Sequence, residues 1–295
     1  MQQPSETLDD LRREIDRIDD AIQDLIMQRT AIVARVGAAK QAAGPAGQRG
    51  AFLRPGREAM LLRRIVARHR GRFPKPALVR LWRELISAPL SIQGPFSVAV
   101  YAPKSAPGYW DLARDQYGSH TSFTAHRAAS QVLRAVGGGS ATLGVLPVIE
   151  DDEPDPWWPA IAREDARGVW VVARLPMAGQ GNARGEAIQA LVVGRAPPEP
   201  TGRDNSLLAF TTARDTSRAR IIELLAKGGL SPRHVGMWEP PGEEVRLFLV
   251  ELEGHVLDND ARIAAFRAEL GEPCRGFYLG GYALPLTPEE LAERA

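Results

Sequence analysis

The 295-residue sequence contains a single cysteine, Cys274, and only five histidines. One cysteine cannot form an internal disulfide, and so few Cys and His residues give no structural zinc spacing. Long apolar runs are also missing, so no segment reads as a membrane span. The first residues, Met1 to Thr7, lack the basic and apolar regions of a signal peptide. The expectation is a cytoplasmic protein with no membrane partner. Net charge is nearly absent too, at +1 for the whole chain. That balance conceals an asymmetry: residues 1–94 hold 17 Lys/Arg against 10 Asp/Glu. A local cationic excess points to an anionic partner for the first domain, whether an acidic small molecule, nucleic acid or a membrane surface.

What is present divides the chain into parts. Leu8, Leu11, Ile15, Ile18, Ile22, Leu25, Ile32 and Val36 recur at alternating three- and four-residue intervals. This heptad seam predicts one long helix over 8–41, with arginine at the missing seam position 29. About 34 residues make a helix of roughly 50 Å. A domain of about 95 residues has a radius of gyration of only ~13 Å. The helix cannot bury its stripe within its own short domain, so a second copy is expected to cover it. Gly44 to Gly50 reads as a flexible link. Pro55 marks the start of a second helix, reaching about His69. A third helical pattern covers 76–93, with Leu78, Leu81, Trp82, Leu85 and Ile86 inward and a break at Pro89.

The pattern changes after Gly94-Pro95. Strands are predicted at 96–102, 121–126, 141–148, 169–173 and 190–193, with helices at 109–117 and 128–136. Gly137-Gly138-Gly139 reads as a helix C-cap and turn, because no helix opens after it. Glu150 to Pro159, with Trp157-Trp158, reads as a loop. Ala196 to Pro200 is a linker. Beyond it the order is βαββαβ, the ferredoxin-like arrangement. The expected fold class is therefore multidomain α and α/β: a three-helix domain over 1–94, a partial α/β domain over 95–195 and a βαββαβ domain over 203–288.

Arg29 is the most informative residue. A guanidinium in an apolar seam is costly unless paired or bound to an anion. It is either a buried ion pair or register device, or an anion ligand inside a helical bundle. Lys40 follows eleven residues later, close to three turns, so both cations point the same way across roughly 16 Å. Arg12 lies about 100° round the helix and ~25 Å from Arg29. One small ligand cannot touch Arg12 and Lys40 of the same rigid helix, so an Arg12 that serves a site serves the partner's.

These residues carry a family resemblance. Leu11-Arg12-Arg13-Glu14-Ile15-Asp16-Arg17-Ile18-Asp19, Arg29, Val36-Gly37-Ala38-Ala39-Lys40, Arg57-Glu58 and the helix ending at Gln93 resemble the all-helical chorismate mutases found fused to prephenate dehydratases. The resemblance implies a homodimer with shared active sites, chorismate as substrate, prephenate as product, and no cofactor or metal. It implies that Arg12 of the other subunit and Arg29 bind the two carboxylates, that Lys40 and Gln93 bind the ether oxygen, that Glu58 accepts from the ring hydroxyl, and that Arg57 lies at the site edge. Arg54 stands where the family usually has an acidic residue, and Pro89 where it often has a small hydroxylated one.

Residues 96–195 resemble one half of a prephenate dehydratase, and 204–285 resemble the ACT-like regulatory domain that follows it, ending in Leu279-Gly280-Gly281-Tyr282. Ile149-Glu150-Asp151-Asp152 replaces the family's Glu-Asn-Thr segment, and its Thr-Arg-Phe motif has no counterpart. Dehydratase activity is therefore not expected. The competing readings are a bifunctional mutase/dehydratase, a non-catalytic regulatory or assembly protein, and a basic nucleic-acid binder. The last is disfavoured because its key cations are tied to the bundle interior.

Overall fold

The computed structural model describes residues 7–42, 53–150, 153, 155–164, 168–180, 187–271 and 273–292. The link expected at Gly44 to Gly50 lies outside the described residues. The helical part comprises α1 (Leu8–Ala42), α2 (Pro55–Arg68), α3 (Lys75–Ser87) and α4 (Leu90–Gln93). Proline occupies the first turn of both α2 and α3, where its missing N–H is no loss. Pro89 caps the short α4, so the chain bends there as expected. The inward face of α3 keeps part of the predicted stripe, with Ile86 buried and Trp82 packed on the helical core, but not Leu81. Val79, Arg83 and Ile86 are buried, whereas Leu81 is 49% exposed. A buried cation on that face had hidden the true periodicity.

The remainder is built on a nine-stranded sheet ordered β2-β1-β3-β5-β4-β9-β6-β8-β7. Its first half contains β1 (Ser97–Tyr101), α5 (Gly108–Tyr117), β2 (Ser122–His126), α6 (Ala129–Gly137), β3 (Leu143–Pro147), β4 (Trp170–Leu175) and β5 (Ala190–Gly194). The three strands β2, β1 and β3 run parallel, as right-handed crossovers through α5 and α6 require. Here α5 covers one face with Leu112 and Tyr117 against Val98, Val100 and Val145. The other face takes Val132 and Val136 of α6. Gly139, at φ +79°, turns the chain after α6. The Trp157-Trp158 segment is not an open loop: a 3₁₀ turn follows Trp157, and both indoles are buried in the second face. Two large aromatic bodies recover more by burial than the surrounding acidic residues lose.

The second half contains β6 (Asp204–Ala213), α7 (Arg218–Lys227), β7 (Pro232–Trp238), β8 (Val245–Glu253), α8 (Ala261–Leu270) and β9 (Arg275–Ala283), followed by the short α9 (Pro288–Leu291). Alternation sorts β6: Leu208 and Phe210 pack under α7 and α8, while Leu207 and Ala209 join the other core. Cys274 is buried in the helix-covered layer. The two α/β halves, read from sequence as separate units, share one sheet. β4 meets β9 in parallel at Val171 and Gly280. Gly280 has φ +115°, and a Cβ there would lie 2.1 Å from the Val171 carbonyl oxygen, so only glycine permits this join.

The helical part is tied to that sheet. Arg63 of α2 donates to Thr201 Oγ1, Arg203 O and Leu284 O at 2.8–3.0 Å. Lys75 donates to Glu290 O and Ala292 O, satisfying carbonyls left open at the end of α9. By contrast, α1 leans on the chain through α4, and its seam is bare. Leu8, Leu11, Ile15, Ile18, Ile22, Leu25, Ile32 and Val36 are 41–64% exposed.

Candidate functional site

The C-terminal half of α1 brings together part of the expected set. Arg29 is half-buried, and its Nη1 donates to Leu85 O at 2.5 Å. Leu85 lies in the last turn of α3, where a helix carbonyl lacks an internal partner. Among the described residues Arg29 has no carboxylate within ion-pair distance, and partial burial makes that cation costly. Desolvation accordingly lowers its pKa.

Eight residues on from Arg29, Gly37 meets Gln93: a Cβ at Gly37 would approach Gln93 Cγ to 3.3 Å. The small residue lets α1 and α4 cross closely, and Gln93 is buried in the crossing. Lys40, one turn further, is partly buried. Burial first, then the charges of Arg54 and Arg57, push its pKa down. Those couplings place the α2 start beside the α1 end. Arg54 itself is held by Glu199 Oε2 at 2.6 and 3.0 Å, while Arg57 is exposed. Positive charge is thus concentrated where α1 ends and α2 begins.

Two expected site residues are elsewhere. Arg12 is exposed on the far half of α1 and pairs with Asp9 at 3.2 Å. Glu58 turns the other way, toward the sheet domain. There it accepts from Arg83 Nη1 at 2.9 Å, and both side chains are largely buried. With its amide turned so that the oxygen faces Arg83, Gln116 of α5 accepts from the same guanidinium at 2.9 and 3.1 Å. Burial raises the Glu58 pKa against the opposing pull of Arg83, and it raises that of the neighbouring Tyr117 as well. Sequence reasoning missed Arg83. The available signal was its place between Val79 and Ile86 at helical spacing, a cation on an apolar face like Arg29.

Among the described residues no three His, Cys, Asp or Glu side chains converge to hold a metal, and no helix is long and apolar enough to cross a membrane. The α1–α4 crossing thus presents two partly buried cations, Arg29 and Lys40, on the helix that packs against the buried Gln93 amide.

The bifunctional chorismate mutase/prephenate dehydratase of Stutzerimonas stutzeri is 32% identical over 144 residues, 48% of this chain and 39% of that protein. The enzyme of the same description from Aquifex aeolicus (strain VF5) is 33% identical over 147 residues, again 48% and 39%. The matched stretch thus spans about two fifths of these relatives. Among solved structures, a prephenate dehydratase from Streptococcus mutans aligns at 14% identity with TM-score 0.46, covering 64% of this chain and 98% of that one. The family model for chorismate mutase type II matches residues 11–94, and this N-terminal helical region is a chorismate mutase type II domain.

Proposed function

We propose that the chain is a chorismate mutase that rearranges chorismate to prephenate, in sites shared between two copies and without cofactor or metal. The observation that carries this reading is the C-terminal half of α1: Arg29 and Lys40 are partly buried on either side of Gly37, which packs against the buried Gln93, on a helix whose apolar seam is exposed. Covering that seam with a second antiparallel α1 would bring the partner's Arg12 to the cationic crossing, because each Arg12 lies ~25 Å from its own Arg29.

The chemistry asks for little else. The rearrangement is intramolecular: a C–O bond breaks as a C–C bond forms, with no nucleophile and no obligatory proton transfer. Two guanidiniums that grip the carboxylates hold the substrate in its compact conformer, a contribution of orientation. Breaking the C–O bond places negative charge on the ether oxygen. The Lys40 ammonium and the Gln93 amide N–H can stabilise it, each such donor being worth roughly 3 kcal/mol in a preorganised site. Glu58, on its present partner Arg83, acts in this reading by fixing α2 and α3, and reaches the ring hydroxyl only after a rotamer change.

The test is formation of prephenate from chorismate by the purified chain, with Lys40→Ala as control. Turnover lost in Lys40→Ala supports the reading. No turnover by the unaltered protein overturns it and favours a non-catalytic regulatory or assembly role. The bifunctional description of the relatives favours a second reading in which dehydration follows. The replaced segment at Ile149 to Asp152 argues against it, and phenylpyruvate released from added prephenate would establish it.

A further inference from the structure

A cavity of about 530 Å³ lies over the sheet face opposite α7 and α8, where the two α/β halves join. That volume is in the range of small-molecule sites. Leu191, Leu207 and Leu249 form its apolar part, and Arg174, Arg233 and Glu251 bring charge to its walls. The charges do not balance: two guanidiniums stand against one carboxylate, and His234 beside them adds no negative charge.

The carboxylate is already engaged within the protein. Glu251 Oε1 accepts from Asn205 Nδ2 at 2.5 Å and from the Tyr282 hydroxyl. The guanidiniums keep capacity. Arg174 Nη1 donates to the Tyr282 hydroxyl at 2.7 Å, and Nη2 donates to Gln189 Oε1 at 2.6 Å. Its separation from Glu251 Oε1 is 3.8 Å, too long for a hydrogen bond. These two bonds hold the guanidinium over the Tyr282 ring, 5.5 Å from the centroid. Among the described residues they engage two of its five N–H donors. Arg233 pairs with Glu253 at 2.8 Å, but both side chains are more than half exposed. Such a surface pair contributes little and gives way readily to another partner. A wall biased toward positive charge, above an aliphatic surface, suits a negative head on an apolar body.

We propose that this cavity is a binding site for the anion of a small amphipathic carboxylic acid. Its carboxylate accepts from the remaining donors of Arg174, Arg233 adds positive charge at the rim, and its apolar body lies on the leucines. The site is distinct from the α1–α4 crossing and does not depend on the mutase reading. It also lies toward the Asn205 end of β6, a strand of ten residues or roughly 30 Å, away from the Thr216-Ser217-Arg218 turn beyond its other end.

Four probes separate head from body: cyclohexylpropanoate, its primary amide, cyclohexylethylamine and acetate. In titration calorimetry on the full chain, cyclohexylpropanoate should bind at least about tenfold more tightly than the amide, which lacks the charge, and than acetate, which lacks the body. The amine should not bind. Arg174→Gln loses the charge but can still donate to Tyr282. It should weaken binding of the acid by more than about tenfold and leave any binding of the amide as it was, a split that a merely structural arginine would not produce. Should that variant fail to fold, Arg233→Gln at the exposed rim should weaken the acid by about threefold, an effect that salt diminishes. Acid binding no tighter than that of the amide or acetate, binding of the amine, no acid binding below about 10 mM, or undiminished acid binding in a folded variant overturns the proposal.

Discussion

Mixing two inactive variants, Arg12→Ala and Lys40→Ala, tests the shared pocket most directly. The two positions are separated on a single unbroken helix by about 42 Å, taking ~1.5 Å per residue. No ligand the size of chorismate touches both within one chain. If the seam of α1 is the contact between copies, each site draws Lys40 from one chain and Arg12 from the other. Losing the Lys40 ammonium removes a charge-assisted donor of roughly 3 kcal/mol, a fall of about two orders of magnitude in turnover. Random re-pairing of equal amounts makes half the dimers mixed, and each mixed dimer rebuilds one of its two sites. The mixture should therefore recover about a quarter of the unaltered activity under closed two-fold pairing. The assay is prephenate formation after exchange, with mixed dimers counted by native mass spectrometry. Mixed dimers in the statistical proportion, with activity no higher than either parent, would refute a site made of two chains. Full activity in Arg12→Ala alone would do so as well.

Three other outcomes follow from the geometry. Because burial and the charges of Arg54 and Arg57 depress the Lys40 pKa, the protonated form that the chemistry needs is lost earlier as pH rises. The alkaline limb of kcat/KM should then fall with a midpoint below the ordinary lysine value of 10.5. Lys40→Arg should move that limb upward, and an unmoved limb would assign it to another group. Arg83→Met strands the Glu58 carboxylate in the interior and should cost about 3–5 kcal/mol in urea unfolding. Glu58 already has a raised pKa, so its fold-stabilising contribution is present at low pH and lost as pH rises through the folded pKa. Without Arg83 that pKa climbs further, and the variant should be weaker at neutral pH than at acid pH; a pH-independent cost would show that Glu58 had found another cation. Gly280→Ala puts a Cβ onto the Val171 carbonyl and should cost about 2 kcal/mol or more, and normal stability would mean that the β4–β9 join yields easily.

Much of this was legible from periodicity. The α1 seam, the proline-led starts of α2 and α3, the break at Pro89 and the βαββαβ order all arise from local rules that act within a few residues. Arg29 was legible for the same reason, since a cation in an apolar seam is conspicuous at helical spacing. Spacing put Glu58 in the first turn of α2 but could not give its partner. Its direction depends on Arg83 and on Gln116 of α5, and neither is near it in sequence. The Trp157-Trp158 pair failed because what covers it comes from elsewhere in the chain, whereas Leu81, expected inward, is left exposed.

By itself the sequence determined the elements, their order and the cations along α1, because propensity and side-chain period are properties of short segments. Only the tertiary structure decided that two α/β halves join through Gly280 in one sheet, that Glu58 serves Arg83, and that Asn205 is buried against Glu251. Each of these depends on which distant groups are forced together once water is excluded, and the cost of a buried charge or carbonyl is settled there.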